Sequence, residues 1–240
     1  PDDCRRIVRR QLRLGARVIK VCASGGVMSQ VDHPIHQQFS LNELKAIVEE
    51  AERAERVVAA HCHGKPGIIA AVEAGVRTIE HGSYLDEEAA AAMVENEAIL
   101  VPTRFIVEHL LALGQNPAVP DYARRKMAEI GDRHMRAMTT AVAAGVRVAM
   151  GTDVWGSDVW GRNAEELGHL VEAGLTPLEA IEAATSTGPL TLGPQAPRSG
   201  LLEAGYDADV ITLAGNPLDD VTILSKPEMI SGIWKSGTPV

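Results

Sequence analysis

The sequence predicts an α/β chain built on parallel strands. Three observations carry this reading. Short runs rich in Val and Ile alternate with Ala-, Leu- and Glu-rich segments. No Asn-Gly or Asp-Gly hairpin turn joins one run to the next. The runs end at Lys20, His61, His81, Thr103 and Asp153, and the intervals of 41, 20, 22 and 50 residues leave room for a helix and two loops each.

The elements follow in order. Residues 17–21 form the first run, and Ser40-Leu41-Asn42-Glu43 is a capping box ahead of Leu44, Ile47, Val48 and Ala51, which share one helical face. Residues 57–61 form the second run. Pro66 then stands where a helix begins and Gly75 where it ends. Residues 77–81 precede a helix opened by Asp86 and running past Ala89 to Val94. After residues 99–103 the chain makes an excursion, a Pro-bracketed loop (116–120) and a long helix over roughly 121–144, before residues 146–153. An excursion at that end of a strand is where a lid would sit. Thr176-Pro177-Leu178-Glu179 is a second capping box. Beyond about residue 190 the texture turns to Gly and Pro, with β-like stretches at 209–213 and 229–235 around a turn at Asn216-Pro217. The expected division is therefore 1–190 and a small β element over 191–240.

Composition bounds the function. The 240 residues hold 23 Lys and Arg against 32 Asp and Glu, and a net charge of −9 offers no basic face to nucleic acid. Two Phe, three Trp and three Tyr are too few for a base-stacking platform. No apolar run approaches the ~18 residues of a membrane span. Three cysteines make no disulfide framework, so a reducing cytoplasm is the default compartment.

Chemistry concentrates at the run ends, because parallel strands deliver their C-terminal ends to one rim. Lys20, His61, His81 and Asp153 stand there. Two imidazoles and a carboxylate suit a divalent ion such as Zn, Mn or Co. A protonated Lys20 would be repelled by a dication, so it either pairs with a carboxylate or solvent, or is uncharged and carboxylated by CO2 to an anionic ligand. His63 shares the face of His61 and is a candidate substrate contact, and Arg104 could grip a substrate carboxylate. His33 and His36 read as solvated loop residues; His109, His134 and His169 read as surface or half-buried. Cys22 reads as a small buried residue.

These residues bring a resemblance into view. Val18-Ile19-Lys20-Val21-Cys22-Ala23-Ser24-Gly25-Gly26, Ala60-His61-Cys62-His63-Gly64, Thr78-Ile79-Glu80-His81-Gly82 and Gly151-Thr152-Asp153 are similar to the amidohydrolase superfamily, in its imidazolonepropionase-like and prolidase-like branch. The stretches 205–210, 216–218 and 234–237 resemble the small C-terminal β-domain of that family. The resemblance implies a (β/α)8 TIM barrel, of which strands four to eight are present. It implies Lys20 as a carboxylated, metal-bridging lysine, His61 and His81 as ligands, and Asp153 as ligand and general base. One or two divalent ions, zinc foremost, would serve cleavage of a small amide, a dipeptide or N-acyl amino acid. The full-length form is expected to be a homo-oligomer. The family also carries a His-x-His pair on strand one, and no His precedes Lys20, so strands one to three are expected to be missing. A catalytically incomplete fragment, or a binding module without chemistry, stays open as the alternative.

Overall fold

Helix and strand alternate through most of the computed structural model, which describes residues 1–240. The order is α1 (Asp2–Arg13), β1 (Val18–Cys22), α2 (Leu41–Glu52), β2 (Val57–Cys62), α3 (Lys65–Glu73), β3 (Thr78–His81), α4 (Glu87–Glu95), β4 (Ile99–Val101), α5 (Arg104–Leu113), α6 (Asp121–Ala143), β5 (Arg147–Val148), α7 (Glu166–Glu172), α8 (Pro177–Ala184), β6 (Val210–Leu213), β7 (Ile230–Lys235) and β8 (Thr238–Pro239). Strands β1 to β5 form one parallel sheet in sequence order. Strands β6 to β8 form a second, antiparallel sheet. No helix is long and apolar enough to cross a membrane.

The two faces of the parallel sheet differ in chemistry, because successive side chains point to opposite sides. Ile19, Val21, Val58, Ala60, Cys62, Ile79 and Leu100 join the largest apolar cluster with Leu44, Ile68 and Met93 of the helices. The other face carries Lys20, Cys22, Ala59, His61, Thr78 and Glu80, with Ile99 and Val101 further along. Lys20 and Cys22 are exposed there. Cys22 is therefore not the buried residue expected.

Both capping boxes form, with Ser40 and Thr176 accepting from the backbone N–H of Glu43 and Glu179. The helix expected over 121–144 is α6, and Asp86 caps α4 as anticipated. Three helices were not foreseen: α1, α5 and α7. The last run is shorter than expected, since only Arg147 and Val148 pair as strand. The backbone then leaves the sheet, with Met150 N–H donating to Ala183 O of α8. The tail is less separate than its texture suggests, because Val221 packs in one cluster with Leu167 and Leu170 of α7.

Candidate metal centre

Strand register governs which side chains can meet at the rim. Cys22 lies opposite His61, and His61 opposite Glu80. By alternation, Glu80 shares the face of His61, whereas His81 pairs with Cys62 and belongs on the helix side. The backbone resolves this. His81 has φ 73°, a left-handed conformation uncommon for a residue with a Cβ. Its ring stands 4.8 Å from each of the His61 and His63 rings, which are 4.7 Å from each other. Thr103 (φ 56°) and Asp153 (φ 52°) are left-handed too, beyond β4 and β5. Such residues cost roughly 1–3 kcal/mol each and cluster where function requires them.

Each imidazole uses one nitrogen on the protein and keeps the other. His63 Nδ1 lies 2.8 Å from Ser83 Oγ, and His81 Nδ1 lies 2.7 Å from Thr103 Oγ1. With Nδ1–H donated to the hydroxyl, Nε2 presents its lone pair. His61 is arranged the other way, with Nε2 3.3 Å from Gly25 O and Nδ1 left over. One ligand atom from each of the three residues lies within 4.8 Å of the others. A second partner fixing the tautomer and orientation of each ring is the usual surrounding of metal-bound histidine. The donor set fits a divalent ion.

The loop after β1 frames the triad because two glycines let backbone pass close by. A Cβ on Gly25 would sit 2.3 Å from His33 O, and one on Gly64 2.5 Å from Ile35 O. His63 N–H donates to Ser24 Oγ at 2.8 Å, tying the β2 end to this loop. Above the triad opens a cavity of about 230 Å3. Its walls are Gly26 to Ser29 of the loop, Ile106, Val107 and Leu110 of α5, Met127 and Ile130 of α6, and Trp155, with the three histidines and Asp153 at its base. No lysine or arginine lines it.

Burial makes the imidazoles reluctant to charge. It lowers His61, where the Gly25 carbonyl opposes the effect and the Lys20 charge adds to it. It holds His63 and His81 well below the ordinary histidine range, each helped by its histidine neighbours. The neutral form is the one a metal requires. Asp153 is reached by solvent, yet the protein packed around its carboxyl raises it, with Lys20 and His61 pulling the other way. Glu80 is raised by burial and lowered by Lys20 and by the Thr78 hydroxyl, which donates to it at 2.5 Å.

Behind the triad His134 is fully buried, beyond the surface or half-buried position expected of it, with Nε2 2.8 Å from Pro102 O. Burial pushes it down to about 4. A histidine lowered in the folded state contributes stability that is present above its ordinary 6.5 and lost as the pH falls through that value toward 4. The variant His134→Gln keeps a donor for Pro102 but does not titrate. It is expected to flatten the fall of melting temperature between pH 6.5 and 4 relative to the parent; parallel curves would contradict this.

Of the expected site residues, His61, His63 and His81 come together, and Asp153 joins them at the cavity. His63, expected to contact substrate, stands inside the imidazole cluster. Lys20 lies outside the cluster on the edge strand, close enough for its charge to act on His61, His81, Glu80 and Asp153. Arg104 is turned away from the cavity. Its guanidinium donates to Gly131 O at 3.1 Å and to the Glu108 carboxylate one turn along α5. Glu166 went unnoticed. Its buried carboxylate accepts from the N–H groups of Arg104 (2.8 Å) and Phe105 (2.6 Å), capping α5 directly after Thr103, and burial raises it to about 7. Ser83, Thr103 and Glu80 were missed as site residues; Glu80 and Ser83 stand one and two places from His81, and Thr103 ends a run of its own.

The model of the amidohydrolase family matches residues 1–240. Ochratoxinase of Aspergillus niger is 48% identical over 237 residues, covering 98% of this chain and 48% of its own. The chain spans about half the length of the curated relatives it matches. The crystal structure of A. niger ochratoxinase superposes with a TM-score of 0.89 at 47% identity, covering 99% of this chain and 54% of that one. A Xaa-Pro dipeptidase with bound methionine in its active site superposes with a TM-score of 0.90 at 32% identity, covering 100% and 58%.

Proposed function

The chain belongs to the amidohydrolase family, and from that premise we propose that it carries the metal-binding and proton-transfer residues of a hydrolase of C–N amide bonds in small substrates. One observation supports this most: three buried or half-buried imidazoles, each with one nitrogen held by a partner, bring ligand nitrogens within 4.8 Å of one another in the cavity that Asp153 also lines. His61, His63 and His81 would hold a divalent ion, zinc by donor type, with Asp153 and a carboxylated Lys20 as anionic ligands at this or a second ion. Carboxylation would turn the Lys20 cation into an anion on the face it shares with His61 and Glu80. Such an ion would supply a Lewis acid for the amide carbonyl and acidify a water toward neutrality.

The protein's own groups do the rest. Asp153 takes the proton of the attacking water and returns it to the leaving nitrogen; a carboxyl raised by burial is suited to both. Ser83 and Thr103 hold the imidazole tautomers. The apolar walls exclude water and receive an uncharged, apolar part of the substrate. At about 230 Å3 the cavity takes one such group rather than a whole drug-sized ligand. A dipeptide or N-acyl amino acid would therefore place its apolar side chain or acyl group here, and its carboxylate elsewhere than at Arg104. We assign the metal-binding part to residues 1–190 and the smaller β part to 191–240, and take the barrel strands present to be four to eight.

A second reading rests on the place of Lys20 outside the imidazole cluster: a cation-binding module without turnover. One experiment separates the two. The chelator-treated chain is titrated with zinc and with manganese, then assayed on N-acyl amino acids of increasing acyl size. The hydrolase reading expects stoichiometric metal and hydrolysis favouring apolar acyl groups. Metal without hydrolysis selects the module, and no stoichiometric metal overturns both.

A further inference from the structure

Lys126 lies in the second turn of α6, 8% exposed, and its contacts are to backbone carbonyls rather than to a carboxylate. Its Nζ donates instead to three backbone carbonyls of the loop after β1: Gly26 O at 3.2 Å, Ser29 O at 2.6 Å, and Asp32 O. An ammonium has three donors, so the loop uses all of them. Tyr122, one turn earlier on α6, donates its hydroxyl to Met28 O at 3.3 Å. The loop also closes on itself, with Gly26 N–H donating to Asp32 Oδ1 at 3.1 Å. Carbonyls gathered around a buried cation amount to a built receptor for that side chain.

We infer that Lys126 is a positioning residue for the cavity. It holds the loop at 26–32 against α6 and so sets the distance between the two facing walls. Val27 and Met28 stand on one of them, Met127 and Ile130 on the other. Without the ammonium, three inward-facing carbonyls would lose their donors, and buried acceptors left unpaired are costly. The loop would have to open toward water, drawing the cavity wall with it. Next to Gly26, the Gly25 carbonyl holds His61 Nε2, so loosening the loop also frees the His61 ring. That last link rests on the proposed cation site; the tie between loop and helix does not.

The test uses the full chain. Hydrogen exchange of residues 26–32 is measured in the parent, in Lys126→Arg, and in Lys126→Ala with and without n-propylammonium, which restores the three carbons and nitrogen removed. Exchange in this loop is expected to rise about tenfold or more in the alanine variant, and to return toward the parent with propylammonium but not with 1-propanol. Lys126→Arg should fall between the two. Zinc affinity is followed in the same samples and should drop and recover with the loop. Unchanged exchange in Lys126→Ala, or equal effects of the amine and the alcohol, overturns the inference. Loop protection that depends on Lys126 in a chain that binds no zinc leaves the inference standing and removes the proposed function; zinc binding with an indifferent loop does the reverse. If Lys126→Ala fails to fold, Lys126→Arg decides, since parent-like exchange throughout loop and core with a guanidinium in the carbonyl cradle would deny it a built fit.

Discussion

Replacing His63 by alanine is expected to weaken zinc binding by more than about 100-fold, beyond the 10–100-fold typical of losing a partner of a ligand. His63 is the residue on which two roles diverge. From its place two after His61 it could equally touch substrate, and a substrate contact would leave metal affinity intact. Its ring, however, is as close to His81 as to His61, at 4.8 and 4.7 Å, and is 4% exposed. Its Nδ1 is already held by Ser83, so only Nε2 is free to act. The Ser83→Ala variant, which releases the ring without removing it, should lie between the parent and His63→Ala. Competition with a chromogenic chelator measures all three. Parent-like affinity in His63→Ala would return this histidine to the substrate.

The second large effect is expected at Asp153. Asp153→Asn should lower amide hydrolysis by roughly 10²–10⁴-fold, the range for losing a positioned proton carrier. Zinc should still bind stoichiometrically, because the imidazole triad is intact. Asparagine is among the residues that tolerate the left-handed backbone found here, at φ 52°, so the loop should keep its course. The acid limb of the pH–rate profile reports the carboxyl, which burial raises above its ordinary 3.8, and that limb should vanish in the residual activity of the variant. A residual rate with the parent's acid limb would assign the proton to another group, Glu80 being the carboxyl that shares the face of His61.

Much of this site was legible from spacing alone. Val- and Ile-rich runs ending in Lys20, His61, His81 and Asp153 are the trace that parallel strands leave when they share a rim, and the sheet has that order. Other features needed coordinates. Alternation puts His81 with Cys62 on the helix side, and only its left-handed backbone brings it to His61. Nothing local in Thr78-Ile79-Glu80-His81 announces that reversal. Glu80 becomes conspicuous once the register sets it opposite His61. Arg104 was misread although Glu108 stands four residues later, a helical pairing distance, because α5 was not foreseen. Its β-branched Ile106 and Val107 lack the usual marks of a helix, and the cap comes from Glu166, 62 residues from Arg104. Long-range caps of this kind leave no signature in a window of sequence.

The sheet order β1-β2-β3-β4-β5 has a consequence for how the chain is made. Within this sheet each strand from β2 to β5 pairs with the strand made just before it, so these pairings can form without waiting for distant sequence. The cavity cannot. Its loop is clasped by Lys126 across 94 to 100 residues, and the start of α5 is capped by Glu166 across 61 to 62. A nascent chain would thus present its histidines on a paired sheet well before α6 arrives to roof them, and capture of an ion during translation need not await the finished pocket.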